Sequence, residues 1–254
     1  MKKLFIIAFI ASLMVGCKEE TSTTTTAGEG TMRISATASG EVLTKTGGES
    51  GITVATPSSG QFSLKITGDN FEKSWASIDD YNFMTERLLA GIYEVEIECG
   101  DPSAEGYNLP YFYGSKQVEV LDRDRTTNVE LIATVGNAIV EVATTETFRG
   151  YFPEYEFTMT TAANTFTLKE NDPELLFIAP QERVAIDCTC VRQSNIATGT
   201  SEQLATQYIT NVKARTRYIV TYDLKSAGSV SVIVSLDETI IDTFEVDVEL
   251  NENA

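Results

Sequence analysis

The chain has 254 residues, with 19 Lys and Arg against 37 Asp and Glu, no histidine and a net charge of −18 at neutral pH. This acidity excludes nucleic acid and anionic lipid as charge-driven partners, because their affinity rests on cationic side chains that neutralise phosphates. The missing imidazole excludes Ser-His-Asp, Cys-His and His-zinc chemistry, while a carboxylate-only mechanism, such as a glycosidase pair, remains open.

Residues 1–16 comprise a basic start (Lys2, Lys3), an apolar run from Leu4 to Val15, and Gly16 directly before Cys17. This is the layout of a signal peptide. The run is too short to span a hydrocarbon core of roughly 30 Å, which takes about 20 helical residues. Leu13-Met14-Val15-Gly16-Cys17 resembles the lipobox of bacterial lipoproteins, with Met14 where Leu is commoner. The resemblance implies cleavage before Cys17 and a diacylglycerol on its thiol, an anchor worth about 0.8 kcal/mol per buried methylene. Lys18-Glu19-Glu20 resembles the export signal of Bacteroidetes-type surface lipoproteins and so implies the outer face of the outer membrane. Residues 17–30, poor in apolar side chains, read as a flexible tether. Loss of Lys2 and Lys3 leaves 17 basic against 37 acidic side chains, a net charge of −20.

Beyond the tether, short alternating or β-branched runs predict strands at Arg33–Thr37, Phe62–Thr67, Ile92–Cys99, Gln117–Leu121, Asn128–Ala133 and Ile139–Ala143. More follow at Glu156–Thr160, Thr165–Lys169, Leu175–Ala179, Arg183–Val191, Arg217–Leu224, Ser229–Ser235 and Thr243–Leu250. Turn residues, Gly91, Gly100-Asp101-Pro102, Gly114 and Gly228 among them, punctuate the runs at the spacing of a sandwich. Short helices are expected near Ile78–Arg87 and Ser201–Gln207. The fold class is therefore all-β. A body of this length exceeds one sandwich of about 100 residues, so two tandem antiparallel β-sandwiches, transthyretin-like or immunoglobulin-like, are expected at residues 31–134 and 135–254.

Acidic side chains alternate with Ile241, Phe244, Val246, Val248 and Leu250 in the last strand, and these, like Asp122-Arg123-Asp124, read as solvated rather than as a metal site. No metal ligand set and no cofactor are expected. Cys188 and Cys190 bracket Thr189 on one strand face and read as core thiols, with Cys99 the third cysteine of the mature chain. Tyr107, Tyr111 and Tyr113, together with Trp75 and Tyr81, form the candidate ligand-binding set, since rings on an acidic surface suit stacking on sugars. Alternation puts Tyr111 and Tyr113 on one face and Phe112 on the other, so packing beside a Pro110 turn is the competing explanation. The Phe148–Tyr155 stretch is a second aromatic patch, read mainly as packing between domains.

Five blocks, Lys73-Ser74-Trp75, Leu89–Val95, Pro110–Ser115, Thr126–Val129 and Gly136–Val142, resemble in order a domain-of-unknown-function family of Bacteroidetes-type surface lipoproteins. More remotely the chain is similar to fimbrillin-like proteins, which pair two transthyretin-like sandwiches and build pili or adhesins. The resemblance implies a surface role and carries no catalytic residues. Three functions follow in order: an adhesion or ligand-binding lipoprotein for a glycan or protein, a pilus or tip subunit assembling by strand addition, and a carboxylate glycosidase.

Overall fold

A computed structural model describes residues 28–40, 42, 52–121, 125–226, 229–236 and 239–247, with side chains up to Leu224. Cys17, Lys18, Glu19, Glu20 and Asp122-Arg123-Asp124 lie outside the described residues, as do the side chains of the last strand.

The first half contains β1 (Glu29–Ser39), β2 (Ser63–Gly68), β3 (Phe71–Trp75), helix α1 (Ile78–Met84), β4 (Arg87–Leu89), β5 (Gly91–Cys99), β6 (Gly106–Tyr107), β7 (Phe112–Val120) and β8 (Thr126–Val135). Seven of these strands join in the order β3-β2-β5-β7-β8-β1-β4. The period of two decides which face is wet. Met32, Ile34, Leu64, Ile66, Val95, Ile97, Val129 and Leu131 are buried, while Arg33, Ser35 and the Glu94, Glu96 and Glu98 row look outward or sit at the rim.

The ladder between β7 and β8 holds only two register pairs, Phe112 with Val135 and Tyr113 with Thr134. At so narrow a seam the sheet folds over on itself, and residues of both arms share one core. Gly114 lies at this crossing, where a Cβ would come within 2.6 Å of the Ile132 carbonyl oxygen. Gly114, expected to mark a turn, is thus inside a strand, and its missing side chain serves close backbone approach instead.

The second half contains β9 (Ala138–Thr144), α2 (Glu146–Tyr151), β10 (Glu154–Thr160), β11 (Thr165–Leu168), β12 (Leu176–Ile178), β13 (Gln181–Val191), β14 (Ser201–Gln203), β15 (Gln207–Val212), β16 (Thr216–Ser226), β17 (Ser229–Leu236) and β18 (Thr239–Asp247). One sheet runs β11-β10-β13-β14 with β15 also on β13, and the other runs β18-β17-β16-β9-β12-β6. Their inner side chains, with Phe148 and Phe152 around α2, form a second buried cluster. The protein is an all-β sandwich fold. Its sheets are not wholly antiparallel: β1 lies parallel to β8 over nine register pairs, and β9 parallel to β16 over seven. In each case the strand that opens a half pairs with one that comes late in it, an arrangement that alternation cannot reveal.

Caps explain where the helices stop and start. The Ser77 hydroxyl accepts from the Asp80 N–H at 3.0 Å, and Thr85, in the left-handed region at φ 52°, ends α1 short of Arg87. The Thr145 hydroxyl accepts from the Phe148 N–H and opens α2, which was not expected. The helix expected at Ser201–Gln207 is absent; Ser201–Gln203 instead pairs with Thr189–Val191, filling the open edge of β13. Cys99, Cys188 and Cys190 are free thiols. Cys188 is buried, and its hydrogen bond with Cys190 followed by burial pushes its ionisation far up, which suits a core role.

The two cores are joined by more than chain continuity. After β5 the chain leaves the first core, and β6 pairs with β12 in the second half. Glu105, just before β6, accepts from the Asn164 side-chain amide (3.1 Å), the Ala179 N–H (3.2 Å), the Gln181 side-chain amide (3.0 Å) and the Thr161 hydroxyl. The chain then returns: the Tyr111 N–H donates to the fully buried Asn137 Oδ1, and the Gly136 N–H donates to the Tyr111 carbonyl at 2.7 Å. Replacing one Glu105 oxygen by an amide sets donors against donors. Glu105→Gln is therefore expected to lower unfolding free energy by about 1–3 kcal/mol, read as a lower urea midpoint; an unchanged midpoint would refute this reading of the joint.

Candidate functional site

The wet face of the β5–β7 pair carries the arrangement with most chemical capacity. Inward Val95 and Ile97 hold β5, which turns Glu94, Glu96 and Glu98 to the other side. On β7 the same alternation buries Phe112 and leaves Tyr113 outside, with Tyr111 beside it just before the strand. Antiparallel register sets Glu98 opposite Tyr113 and Glu96 opposite Ser115. The tyrosines lean along the strand. The Tyr113 hydroxyl donates to Glu96 Oε1 at 2.8 Å and the Tyr111 hydroxyl to Glu98 Oε2 at 3.1 Å.

The two rings are stacked, with centroids 6.5 Å apart and planes 26° from parallel. Gly136 lies against the Tyr111 ring, where a Cβ would approach within 2.5 Å. A shallow cleft of about 230 Å³ beside Tyr113 is lined by Ser63, Lys65, Ser74, Glu96 and Glu98, with Lys65 held by Glu72 at 2.7 Å. Burial first, then the hydrogen bond from each hydroxyl to its glutamate, pushes the ionisation of both tyrosines up. They remain neutral donors at any physiological pH.

Chemically, such a face offers flat rings, carboxylate acceptors, hydroxyls and one cation. Glu96 and Glu98 stand side by side on one strand, whereas glycosidase carboxylates flank a bond from opposite sides. Their part in the site escaped the sequence reading. A Glu-x-Glu-x-Glu row looks like any solvated strand face, and only the register with β7 brings the tyrosine hydroxyls to it.

The other members of the candidate set separate. Trp75 and Tyr81 are corrected to core residues, 6% and 0% exposed, with rings edge to face at 4.8 Å. Tyr81 sits on the inner side of α1, where its ring cannot stack on a ligand; Trp75, opposite Leu64, lines the cleft beside Tyr113 but is too buried to present a ring face. Lys73 lies over the Trp75 ring at 5.3 Å and pairs with Glu86 at 2.7 Å, a charged cover on an edge strand. Tyr107 is half-buried, donates to the Thr167 carbonyl at 2.8 Å, and lines a different cleft of about 230 Å³ with Glu141, Arg217, Lys169, Asp172 and Glu174. Arg217 is held there by both Glu141 oxygens at 2.8 Å.

The Phe148–Tyr155 stretch packs inside the second half. Phe148 and Phe152 are fully buried, and Glu170 accepts from the Tyr155 and Thr144 hydroxyls, the Thr144 N–H and Arg149. Among the described residues no group of three or more Cys, Asp or Glu is placed to hold a metal ion. Among them, too, no helix is long and apolar enough to cross a membrane.

Fold and face together define an acidic β-sandwich protein with an open aromatic and carboxylate surface. The sequence matches the family described as Domain of unknown function (DUF4493) over residues 28–252, and the chain belongs to that family. No curated protein matches it. Solved structures similar to it include a fimbrial assembly protein from Parabacteroides distasonis, at 9% identity and TM-score 0.44, covering 72% of this chain and 90% of that one. A candidate cell adhesion protein from Bacteroides uniformis is similar at 10% identity and TM-score 0.41, covering 80% and 95%. Candidate polysaccharide binding proteins (DUF1812) from Bacteroides thetaiotaomicron are similar at 9% identity and TM-score 0.36, covering 82% and 98%.

Burial pushes the ionisation of Tyr81 up to about 12, and that of Tyr111 also lies above the ordinary 10.0. The unfolded chain releases these protons near pH 10 while the fold retains them. The associated stability is whole below about pH 10 and is lost as pH rises through the folded values. The urea midpoint is expected to fall between pH 9 and 11, and to fall less steeply in Tyr111→Phe; equal slopes for the two proteins would refute the assignment to Tyr111.

Proposed function

We propose that the chain is a cell-surface lipoprotein that works by contact, with the Tyr111–Tyr113 face as its binding surface and a hydroxyl-rich glycan as the ligand class it fits. The observation that carries this reading is the pair of stacked rings held by Glu98 and Glu96 on an open sheet face. Rings fixed in this way lose little freedom on taking up the apolar face of a sugar, and the carboxylates accept from its hydroxyls. The absence of histidine supports contact over chemistry.

The address in this reading comes from the leader. Residues 1–16 are removed, Cys17 carries the lipid, residues 17–30 are the tether, and Lys18-Glu19-Glu20 directs the protein to the outer face of the outer membrane. The body is read as two tandem sandwiches, residues 31–134 and 135–254, a division supported by most buried residues beyond Val135 belonging to a second core cluster, with Ile139 and Phe177 still packed in the first. On a glycan array the leader-free chain is expected to bind a subset of sugars, and the double variant Tyr111→Ala, Tyr113→Ala to bind them about tenfold more weakly, roughly 1.4 kcal/mol. Silence of the native chain across the array would sink the glycan reading.

A second reading, a pilus or tip subunit that joins its neighbours by strand addition, rests on β18. Among the described residues that strand is the edge of the six-stranded sheet and pairs only with β17. Deletion of residues 243–250 is expected to abolish assembly on cells; assembly at the native level would remove this reading.

A further inference from the structure

We propose a mechanical function: the chain is built to carry tension along its length, with the parallel pairs β1–β8 and β9–β16 as the elements that resist it. The geometry starts from the register. Thr31 lies beside Thr126 and Ser39 beside Thr134, so the first residues of β1 and the last residues of β8 are at opposite ends of one nine-pair ladder. A pull applied at Gly28 and opposed through Val135 runs along the strands. Every interstrand hydrogen bond in the ladder is then stretched at once, and none can break until many have lengthened together. Had β8 run antiparallel to β1, the same two points would lie at one end, and the bonds would open one after another.

The second half repeats the arrangement. Only Gly136 and Asn137 separate β8 from β9, so a load leaving Val135 enters β9 at Ala138. Ala138 lies beside Thr216 and Thr144 beside Tyr222, a seven-pair ladder that is again parallel. Two antiparallel reversals follow, β16 to β17 and β17 to β18, which turn β18 into the same sense as β16. A load taken off the end of β18 therefore also acts along strands and not across them.

The joint between the halves is reinforced at the same point. Asn137 is fully buried; its carbonyl accepts from the Arg215 N–H at 2.7 Å and its side chain from the Tyr111 N–H. The two linking residues are thus fastened to both halves and do not form a free hinge. The Glu105 contacts and the β6–β12 pairing give the load a second route around the joint. A chain anchored ahead of Gly28 and joined to a neighbour through β18 would be loaded in this way.

The inference takes from the proposed function only the source of the load, an anchor ahead of Gly28; the response to force belongs to the fold alone. The test is single-molecule stretching of the leader-free chain with handles at its two ends, compared with a second geometry on the same protein. In the second, one handle stays at the amino end and the other is attached at an Arg125→Cys thiol, with Cys99→Ser to remove the half-exposed native thiol and the chain in both geometries begun at Lys18 to omit that of Cys17. Residue 125 adjoins the end of the ladder where Thr31 meets Thr126, so this pull unzips β1 from β8.

Rupture at several-fold higher force in the end-to-end geometry, at equal loading rate, is the expected result. It should come with a length release of roughly 350 Å when the 104 residues of the first half extend. Equal forces in the two geometries, or a higher force for unzipping, would overturn the proposal. Forced unfolding reads the unfolding barrier and not equilibrium stability, so matched urea midpoints for the native and doubly substituted chains ensure that a difference in force reports geometry. Mass spectrometry of native protein tests the lipid separately: an unacylated Cys17 would end the anchoring reading and leave the force comparison intact.

Discussion

The structure depends on one segment, residues 105–111, that leaves the first core, becomes a strand of the second half's sheet, and returns. Its constraint is electrostatic as much as steric. A carboxylate withdrawn partly from water must have its oxygens occupied, and Glu105 finds its donors only on the opposite half, at Thr161, Asn164, Ala179 and Gln181. Neither half can shift against the other without stripping those oxygens. The short sheet contact of β6 with β12 and the buried Asn137 then fix the return path, which delivers Tyr111 to the edge of the tyrosine and glutamate face.

That face inherits its order from what lies beneath. Val95, Ile97 and Phe112 are fully inside, and their packing leaves the backbone of β5 and β7 no freedom to rotate. Glu96, Glu98 and Tyr113 are aligned because their neighbours on the chain are buried. Tyr111 is placed by the joint, and Gly136 leaves the room its ring occupies. Half of the site is thus a product of the first core and half a product of the union between cores.

Much of this could be read from the sequence. The alternation of Val95 and Ile97 with Glu94, Glu96 and Glu98, or of Val129 and Leu131 with Glu130, is a local property that a half-buried strand must have. The opposite orientation of Phe112 and Tyr113 follows from the same period. Trp75 and Tyr81 illustrate the limit. Nothing within a few residues of either says that α1 closes over Leu64 and draws both rings inward, because the cover comes from another element. The strands β6 and β14, two and three residues long, have no period to detect and exist because β12 and β13 have open edges to fill. The parallel pairing of first and late strands, and the reach of the tyrosine hydroxyls to Glu96 and Glu98, are relations of register between distant segments. Local pattern carries no record of them.

The pairing of β1 with β8 also governs the order in which the protein can come into being. Its partners are separated by 95 residues, and those of β9 and β16 by 78. Contacts so remote along the chain are slow to form, since a long loop must close before any bond rewards it. As the chain is synthesised, β1 comes out first; β4 covers only Glu29–Thr31, and the rest of β1 has no strand neighbour until β8 has followed. For that interval most of its row of N–H and C=O groups is unpaired, and it is open to any other extended segment at hand. The early strand therefore has to be kept covered until the late one arrives, whether by a holding chaperone or by rapid completion of the first half.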